Sequence, residues 1–200
     1  MRIIENPKIE DWSKLLQRPT QTIEDIENTV ALIFDDVKRN GDQAISKYTL
    51  MFDGVNLEQN TVDDLEIKSA SSRISHELKD AIQLAKSNIT KFHAAQETSK
   101  VEIETMQGVT CWQEKRPINK IGLYIPGGTA PLFSTVLMLA IPANIAGCKD
   151  IVLCTPPNKE GKVADEILYA ASICGVTKIF KVGGIQAIAG LTFGTQSIPK

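Results

Sequence analysis

The stretch that decides the fold is IGLYIPGGTAPLF, residues 121–133. Its first five residues are apolar, aromatic or glycine, a composition that predicts a buried strand. The strand stops at Pro126, which has no N–H for a ladder, and at the following glycine pair, which allows backbone angles that other residues avoid. Pro131 stands where the first residue of a helix is expected, ahead of a long apolar run. The stretch therefore predicts a strand, a glycine turn and a helix start.

A glycine turn of this kind suits ligand binding. It brings bare backbone N–H groups up to a ligand and points the positive end of a helix at the ligand's negative charge. Pro126, Gly127 and Gly128 are therefore candidate binding residues, although a tight connection that binds nothing has the same pattern. Tyr124 closes the predicted strand beside the turn. Its ring can stack on a flat ligand and its hydroxyl can bond one, or the ring can simply pack at the strand end.

The second half of the chain alternates strands and helices. Strands are predicted at residues 120–125, 150–155 and 178–182, and helices at 132–146, 163–173 and 185–191. Strands joined by helices of this length predict right-handed βαβ units and a parallel sheet, hence an α/β fold. Such sheets bind ligands beyond the carboxyl ends of their strands. Three segments are expected on that edge: 126–131, 156–161 and 183–186.

The last of these segments repeats the glycine turn. Gly183 and Gly184 open a predicted helix, and Gln186 lies in its first turn. A glutamine amide can donate and accept hydrogen bonds on a ligand, or it can face solvent. Ser134 and Thr135, at the start of the helix predicted after Pro131, can cap that helix or touch a phosphate.

The first half is predicted to be helical and to end in a hairpin. Helices are predicted from Thr22 to Asn40, from Ala44 to Phe52 and from Ser75 to Gln96, with a loop and at most one short strand over 55–65. Alternation at period two on both sides of Gln107-Gly108 predicts a β-hairpin over 101–114. Because Pro117 ends the hairpin, we expect two parts: a helical N-terminal region with a β-hairpin, residues 1–117, and a parallel βαβ domain, residues 118–200.

The bulk properties argue against several kinds of partner. The 200 residues are 42% hydrophobic and 23% charged, with a formal net charge of −2. That balance argues against nucleic acid or an anionic membrane surface as the partner, and no apolar run approaches the length of a membrane span. The four cysteines have no CxxC spacing. With no secretion signal near the N-terminus, they predict reduced thiols in the cytoplasm.

The chemistry of a reaction is not evident from these residues. Neither G-x-G-x-x-G nor G-x-x-x-x-G-K-S/T occurs, so the standard dinucleotide fingerprint and the Walker loop are excluded. His76 and His93 lie too far apart on their predicted helix to form an i, i+4 metal pair. No nucleophile–base pair and no metal cluster is apparent. The residues alone predict a two-part α/β ligand-binding protein in which no catalytic group can be identified.

Four segments closely resemble the signature of the histidinol dehydrogenase family. They are GLYIPGGTAPLFSTVLMLAIPA from Gly122, IVLCTPP from Ile151, ADEILYAA from Ala164 and FKVGGIQAIA from Phe180. The resemblance is dense from about residue 117 to residue 200, and looser over the helical half. Because these runs are long and in the right order, they are far more specific than any single glycine motif.

The resemblance implies a fold, a reaction and a set of cofactors. The family oxidises L-histidinol to L-histidine through histidinal in two NAD-dependent steps, the last ones of histidine biosynthesis. Its members are zinc-requiring homodimers whose Rossmann-like NAD-binding domains lack the usual fingerprint. Tyr124 and Gln186 match the family's coenzyme contacts. A small-molecule substrate, a cytoplasmic location and no nucleic-acid or membrane partner are then expected.

The resemblance also implies that part of the site is missing. The family's zinc ligands and its catalytic Glu-His pair lie beyond the position that corresponds to Lys200. No residue of this chain therefore takes a catalytic or zinc-binding role. We expect an N-terminal piece that holds part of the NAD site and is inactive alone. The alternatives are a non-catalytic binding or assembly module of the same fold, and a dehydrogenase of another amino alcohol.

Overall fold

The computed structural model describes residues 4–17, 23–128 and 130–200. The helices are α1 (Trp12–Leu15), α2 (Ile23–Asn40), α3 (Asp42–Asp53), α4 (Asp64–Arg73), α5 (His76–Ala94), α6 (Phe133–Ile145), α7 (Asp165–Ile173) and α8 (Gly184–Phe193), and the strands are β1 (Val101–Met106), β2 (Val109–Gln113), β3 (Lys120–Tyr124), β4 (Asp150–Thr155) and β5 (Lys178–Lys181). The chain divides into two compact units, residues 1–32 and 33–200.

The first unit contains a short helical start. A 3₁₀ turn at Ile9–Asp11 leads into α1. The indole Nε1 of Trp12 donates a hydrogen bond to the carbonyl of Pro7 at 3.2 Å. The helix cap predicted at Thr22 lies outside the described residues. The end predicted for α2 at Asn40 is confirmed.

The second unit contains a parallel sheet in the order β3-β4-β5. Lys120 pairs with Asp150 at the start of β3, and Tyr124 pairs with Cys154 at its end. At the outer edge of β5, Phe180 forms an antiparallel bridge with Thr61. The parallel sheet and the alternation of strands with helices are therefore confirmed, and the fold is α/β.

Helices cover both faces of this sheet. Successive side chains of a strand point to opposite faces, so each strand contributes to both helix layers. On β4, Ile151 and Leu153 belong to one core cluster, which also takes side chains from α4, α5, α6 and α7. Val152 and Cys154 belong to the other, with side chains from α2, α3 and α8. A strand buried on both faces explains the unbroken apolar run of β4. The cluster of Ile151 joins helices before and after Pro117, so the boundary predicted there stays a prediction.

Several predicted ends are confirmed by their capping groups. Ser75 caps α5, since its side chain accepts a hydrogen bond from the amide of Leu78 at 3.2 Å. Gly54 ends α3 in the left-handed region with φ 72°, which glycine adopts without a Cβ clash. The hairpin is also confirmed, with β1 and β2 antiparallel. In the part of the chain that the structure describes, no helix has the length and apolar character needed to cross a membrane.

One helix was missed and one predicted helix start is wrong. The loop predicted over 55–65 is confirmed as far as Asp63, but residues 64–73 form α4, which was not predicted; the helix is polar and buries only Ala70. Pro131 is not the first residue of α6, because that helix begins at Phe133. Leu132 precedes it with ψ 52°, which is not helical, and keeps Pro131 outside.

Candidate functional site

Three loops meet at the carboxyl edge of the sheet, as predicted. They follow β3, β4 and β5, and their contact point is the ring of Pro156. A Cβ built on Gly127 would lie 2.5 Å from Pro156 Cγ, and one built on Gly183 would lie 2.5 Å from Pro156 Cβ. Carbon atoms do not approach so closely, so both positions require glycine. The ring of Pro156 thus packs against both glycine turns.

Tyr124 joins the end of β3 to the start of α8. Its hydroxyl oxygen accepts a hydrogen bond from the amide of Gly184 at 3.1 Å, and the side chain is half-buried. A phenol that accepts one bond still has its own proton to donate. Tyr124 therefore does more than pack at a strand end, because it holds the second glycine turn and retains a donor for a ligand.

The helices at this edge begin without side-chain caps. The N-cap of α6 is Leu132 and that of α8 is Gly183, and neither makes a side-chain capping bond. Ser134 and Thr135, which were capping candidates, instead lie inside α6. The first turn of a helix has amide groups without helical partners and a positive dipole end. Two such starts at one edge suit a ligand with negatively charged groups.

Gln186 is fully buried in the first turn of α8, with 0% of its surface exposed. Its amide lies against the glycine pair, since a Cβ built on Gly184 would lie 2.8 Å from Oε1. Within the described residues neither Oε1 nor Nε2 has a hydrogen-bond partner. The solvent-facing alternative for Gln186 is therefore wrong. A buried, unpaired amide costs about 1–3 kcal/mol, so this side chain fits a site that a further polar group completes.

Taken together, these features fit a flat, phosphate-bearing ligand. Gly127 and Gly183 let the backbone approach it, and the starts of α6 and α8 face its charge. Tyr124 offers a ring and a hydroxyl, and Gln186 a buried amide. The exposed Gly128 leaves the outer side of the turn open, since nothing lies within 4 Å of a Cβ built there.

Two buried cysteines and one carboxylate of the second unit have structural surroundings. Burial raises the pKa of the Cys154 thiol to about 12 and that of Cys174 to about 11, so neither is a thiolate nucleophile near neutral pH. The carboxylate of Asp165 is held by Arg73, whose Nε and Nη2 donate to it at 2.7 and 2.5 Å. Asp165 lies in the first turn of α7, where the helix dipole favours a negative charge.

The described residues do not fit a zinc site. In the ranges 4–17, 23–128 and 130–200 there is no group of three or more His, Cys, Asp or Glu side chains that could hold a metal ion. No chemical step through zinc is derived from these residues.

A cavity of about 240 Å³ lies at the opposite edge of the sheet, beside the first residues of the three strands, Lys120, Asp150 and Lys178. Parallel α/β sheets bind ligands at the carboxyl edge. The glycine turns are therefore the stronger candidate site.

Two polar residues of the interior were missed by sequence reasoning. Thr49 and Asp53 lie on α3, and each has a buried side-chain oxygen without a partner among the described residues. Both stand at four-residue steps from Ile45, on the apolar face of the helix. The sequence carried a signal for both, because a hydroxyl and a carboxyl stand at helix spacing on an otherwise apolar face.

Comparison with known proteins identifies one family. The family model described as histidinol dehydrogenase matches residues 16–200. The histidinol dehydrogenase of Bacteroides thetaiotaomicron is 54% identical over 200 residues, which are 100% of this chain and 47% of that protein. That of Escherichia coli (strain K12) is 53% identical over 192 residues, 96% of this chain and 43% of that protein.

A solved structure gives the same result. The crystal structure of histidinol dehydrogenase from Elizabethkingia anophelis matches with a TM-score of 0.88 and 53% identity, over 98% of this chain and 45% of that chain. The chain thus spans about half the length of the relatives that it matches.

Proposed function

The chain belongs to the histidinol dehydrogenase family, and we propose that it carries part of the NAD site of an enzyme that oxidises L-histidinol to L-histidine through histidinal. The observation that carries this proposal is the buried, unpaired amide of Gln186 beside the second glycine turn. Such an amide is costly unless a ligand or water pairs with it. The name of the relatives supports histidinol as the substrate.

Each residue of the site has a role in binding the coenzyme. The backbone of Pro126, Gly127 and Gly128 and the starts of α6 and α8 would face the pyrophosphate, because their amide groups and dipole ends favour negative charge. Tyr124 would donate its hydroxyl proton or stack its ring, and Gln186 would pair its amide with polar atoms of the coenzyme. When bound, NAD supplies the hydride acceptor for both oxidation steps.

Zinc and acid–base catalysis belong elsewhere in the enzyme. We place the zinc ligands and the catalytic bases in the half of the relatives' length that this chain does not span. The chain alone would then bind coenzyme without turning over histidinol. A homodimer and a cytoplasmic location are proposed for the whole enzyme on the family resemblance. The free cysteines, Cys111, Cys148, Cys154 and Cys174, are compatible with that location.

The test is NADH formation from L-histidinol, NAD and zinc, followed by near-ultraviolet absorbance. Two proteins are compared: this chain, and this chain joined to the C-terminal half of the E. coli relative. We expect two NADH per histidinol from the joined protein, and none from the chain alone. The joined protein with Gln186→Leu should need a higher NAD concentration for its half-maximal rate than the joined protein that keeps Gln186.

Two results would contradict the proposal. Steady histidinol-dependent NADH formation by the chain alone would show that the catalytic groups lie within it. A folded, zinc-loaded joined protein without activity on histidinol would move the function to another amino alcohol or to a non-catalytic binding role.

A further inference from the structure

Buried polar atoms without partners among the described residues lie on three helices of the second unit. On α3 they are Thr49 Oγ1 and Asp53 Oδ2, on α8 both amide atoms of Gln186, and on α4 Glu66 Oε1. Thr49 is 2% exposed and Gln186 0%. Buried hydroxyl and amide groups are normally paired with protein or with ordered water. Three such side chains on two helices that pack together indicate a shared polar site.

The packing of α3 on α8 brings Thr49 and Gln186 to the same level. The amide of Asp42, at the start of α3, donates to Gln196 Oε1 at 2.8 Å, just beyond the end of α8. The two helices therefore run antiparallel. A Cβ built on Gly190 would lie 3.3 Å from Ile45 Cδ1, which fixes their contact point. One turn from that point lies Gln186 on α8 and Thr49 on α3, since four residues make about one turn.

Asp53 extends the polar site towards the end of α3, one turn beyond Thr49. Its side chain is partly buried. Loss of hydration raises the pKa of its carboxyl, and the positive charge of Lys159 lowers that pKa by less. The terminal amine of Lys159 donates to the backbone carbonyl of Asp53 at 2.9 Å. The polar site thus has a buried part, at Gln186 and Thr49, and a partly exposed end, at Asp53.

We propose that Thr49 is a positioning residue, which fixes the orientation of the Gln186 amide through an ordered water held between α3 and α8. A hydroxyl and an amide can each donate and accept, so together they supply the two to four partners that a buried water needs. The water pairs Thr49 Oγ1 and one end of the Gln186 amide, and it leaves the other end, beside Gly184, for a ligand. It also decides which end of the amide faces Gly184. The consequence for coenzyme binding rests on the proposed function, whereas the network itself does not.

The network is tested without coenzyme by the side-chain amide signal of Gln186 in ¹⁵N–¹H spectra, assigned by its loss in Gln186→Leu. Thr49→Val keeps the shape of the side chain and removes the hydroxyl, and Thr49→Ser keeps the hydroxyl. Thr192→Val is the matched control, because Thr192 is exposed on α8. We expect the Gln186 signal to shift and to exchange faster with solvent in Thr49→Val only. If Thr49→Val does not fold, Thr49→Ala replaces it. An unchanged Gln186 signal would overturn the inference.

The consequence for binding is tested by titration of the same variants with NAD. Thr49→Val should weaken NAD binding about fivefold, as expected for one mispaired hydrogen bond, while Thr49→Ser should not. The double variant Thr49→Val/Gln186→Leu should bind as Gln186→Leu does, since the two residues act through one amide. Independent, additive effects would overturn the positioning role. If the unmodified chain bound no NAD, the proposed function would fail for this chain, and the spectra alone would decide the network.

Discussion

Gly183 lies so close to Pro156 that any side chain there must displace the neighbouring loop. A Cβ on Gly183 would lie 2.5 Å from Pro156 Cβ and 3.2 Å from its backbone Cα. We therefore expect Gly183→Ala to lower the free energy of unfolding by about 1–3 kcal/mol, as overpacking does. Urea denaturation measures this. The matched control is Gly128→Ala, where nothing lies within 4 Å of the new Cβ. Equal losses in both variants would contradict the close contact.

Tyr124 offers a second residue-level prediction. Tyr124→Phe removes the acceptor for the Gly184 amide, so we expect NAD affinity to fall a few-fold and stability to change by about 1 kcal/mol or less. Tyr169→Phe is the control, because it also loses one hydrogen bond, from Gln83 at 3.2 Å. Calorimetric titration with NAD should separate the two variants. If Tyr124→Phe bound NAD like the control, Tyr124 would have no coenzyme role.

Residue types in the turns were predictable, but their burial was not. Tyr124 and the glycine pairs follow apolar strands, so their place at one sheet edge could be derived from the sequence. Gln186 could face solvent or the interior, since a single position in a first turn has no periodicity of its own. Thr49 was missed because its apolar neighbours on α3 predict a core-facing stripe and do not mark a polar position within it. Side-chain burial depends on which helices pack together, which the sequence pattern leaves open.

At the scale of elements, a carboxylate holds the junction of α2 and α3. Asp36 accepts hydrogen bonds from Lys47 at 2.6 Å, Asn40 at 2.6 Å and Tyr48 at 2.9 Å. These bonds, that of Lys47 first, lower the pKa of Asp36 to about 2. A carboxyl whose pKa is lower in the folded state stabilises that state at pH values above its pKa in the unfolded chain, about 4. That stability is lost as the pH falls through about 2.

We therefore expect Asp36→Asn to lower the free energy of unfolding by roughly 1 kcal/mol near neutral pH, because the Lys47 side chain is largely exposed and its share is screened. The difference from the unmodified chain should narrow as the pH falls below about 4. Asp35→Asn is the control, since Asp35 forms an exposed ion pair with Arg39 at 3.9 Å. Urea denaturation across this pH range measures both. A pH-independent difference for Asp36→Asn would contradict the account.

Element prediction depended on how apolar each segment is. β4 and α5 were recognised because their apolar residues recur at strand or helix spacing. α4 was missed because it is polar, although Asp63 accepts from the amide of Glu66 at 2.6 Å. That Asp-x-x-Glu spacing is a helix-start pattern, so the signal was present in the sequence.

At the scale of the whole molecule, the hairpin and the central sheet should differ in local stability. All residues of β1 and β2 are exposed, including Ile103 and Trp112, whereas five of the six residues of β4 are buried. A two-stranded hairpin without a covered face is marginally stable. We expect its amides to exchange with deuterium much faster than those of β4. Equal protection would mean that another surface covers the hairpin.

The sequence predicted the α/β class and the meeting of three loops at one sheet edge, but not the extent of the core. The cluster that holds Ile151 also takes Ala70 and Ile82, which precede Pro117. Such contacts between distant segments are decided by the folded topology, and local periodicity does not report them. The proposed reaction rests on the family resemblance, because this chain spans about half the length of its relatives.

The most direct test of the central claim is calorimetric titration of this chain with NAD, compared with Gln186→Leu and with Gln43→Leu, an exposed glutamine on α3. The account predicts saturable binding by the unmodified chain and by Gln43→Leu, and binding about tenfold weaker in Gln186→Leu, where the buried amide is lost. Equal affinity in all three proteins, or no binding by the unmodified chain, would contradict the assignment of the coenzyme site to this sheet edge.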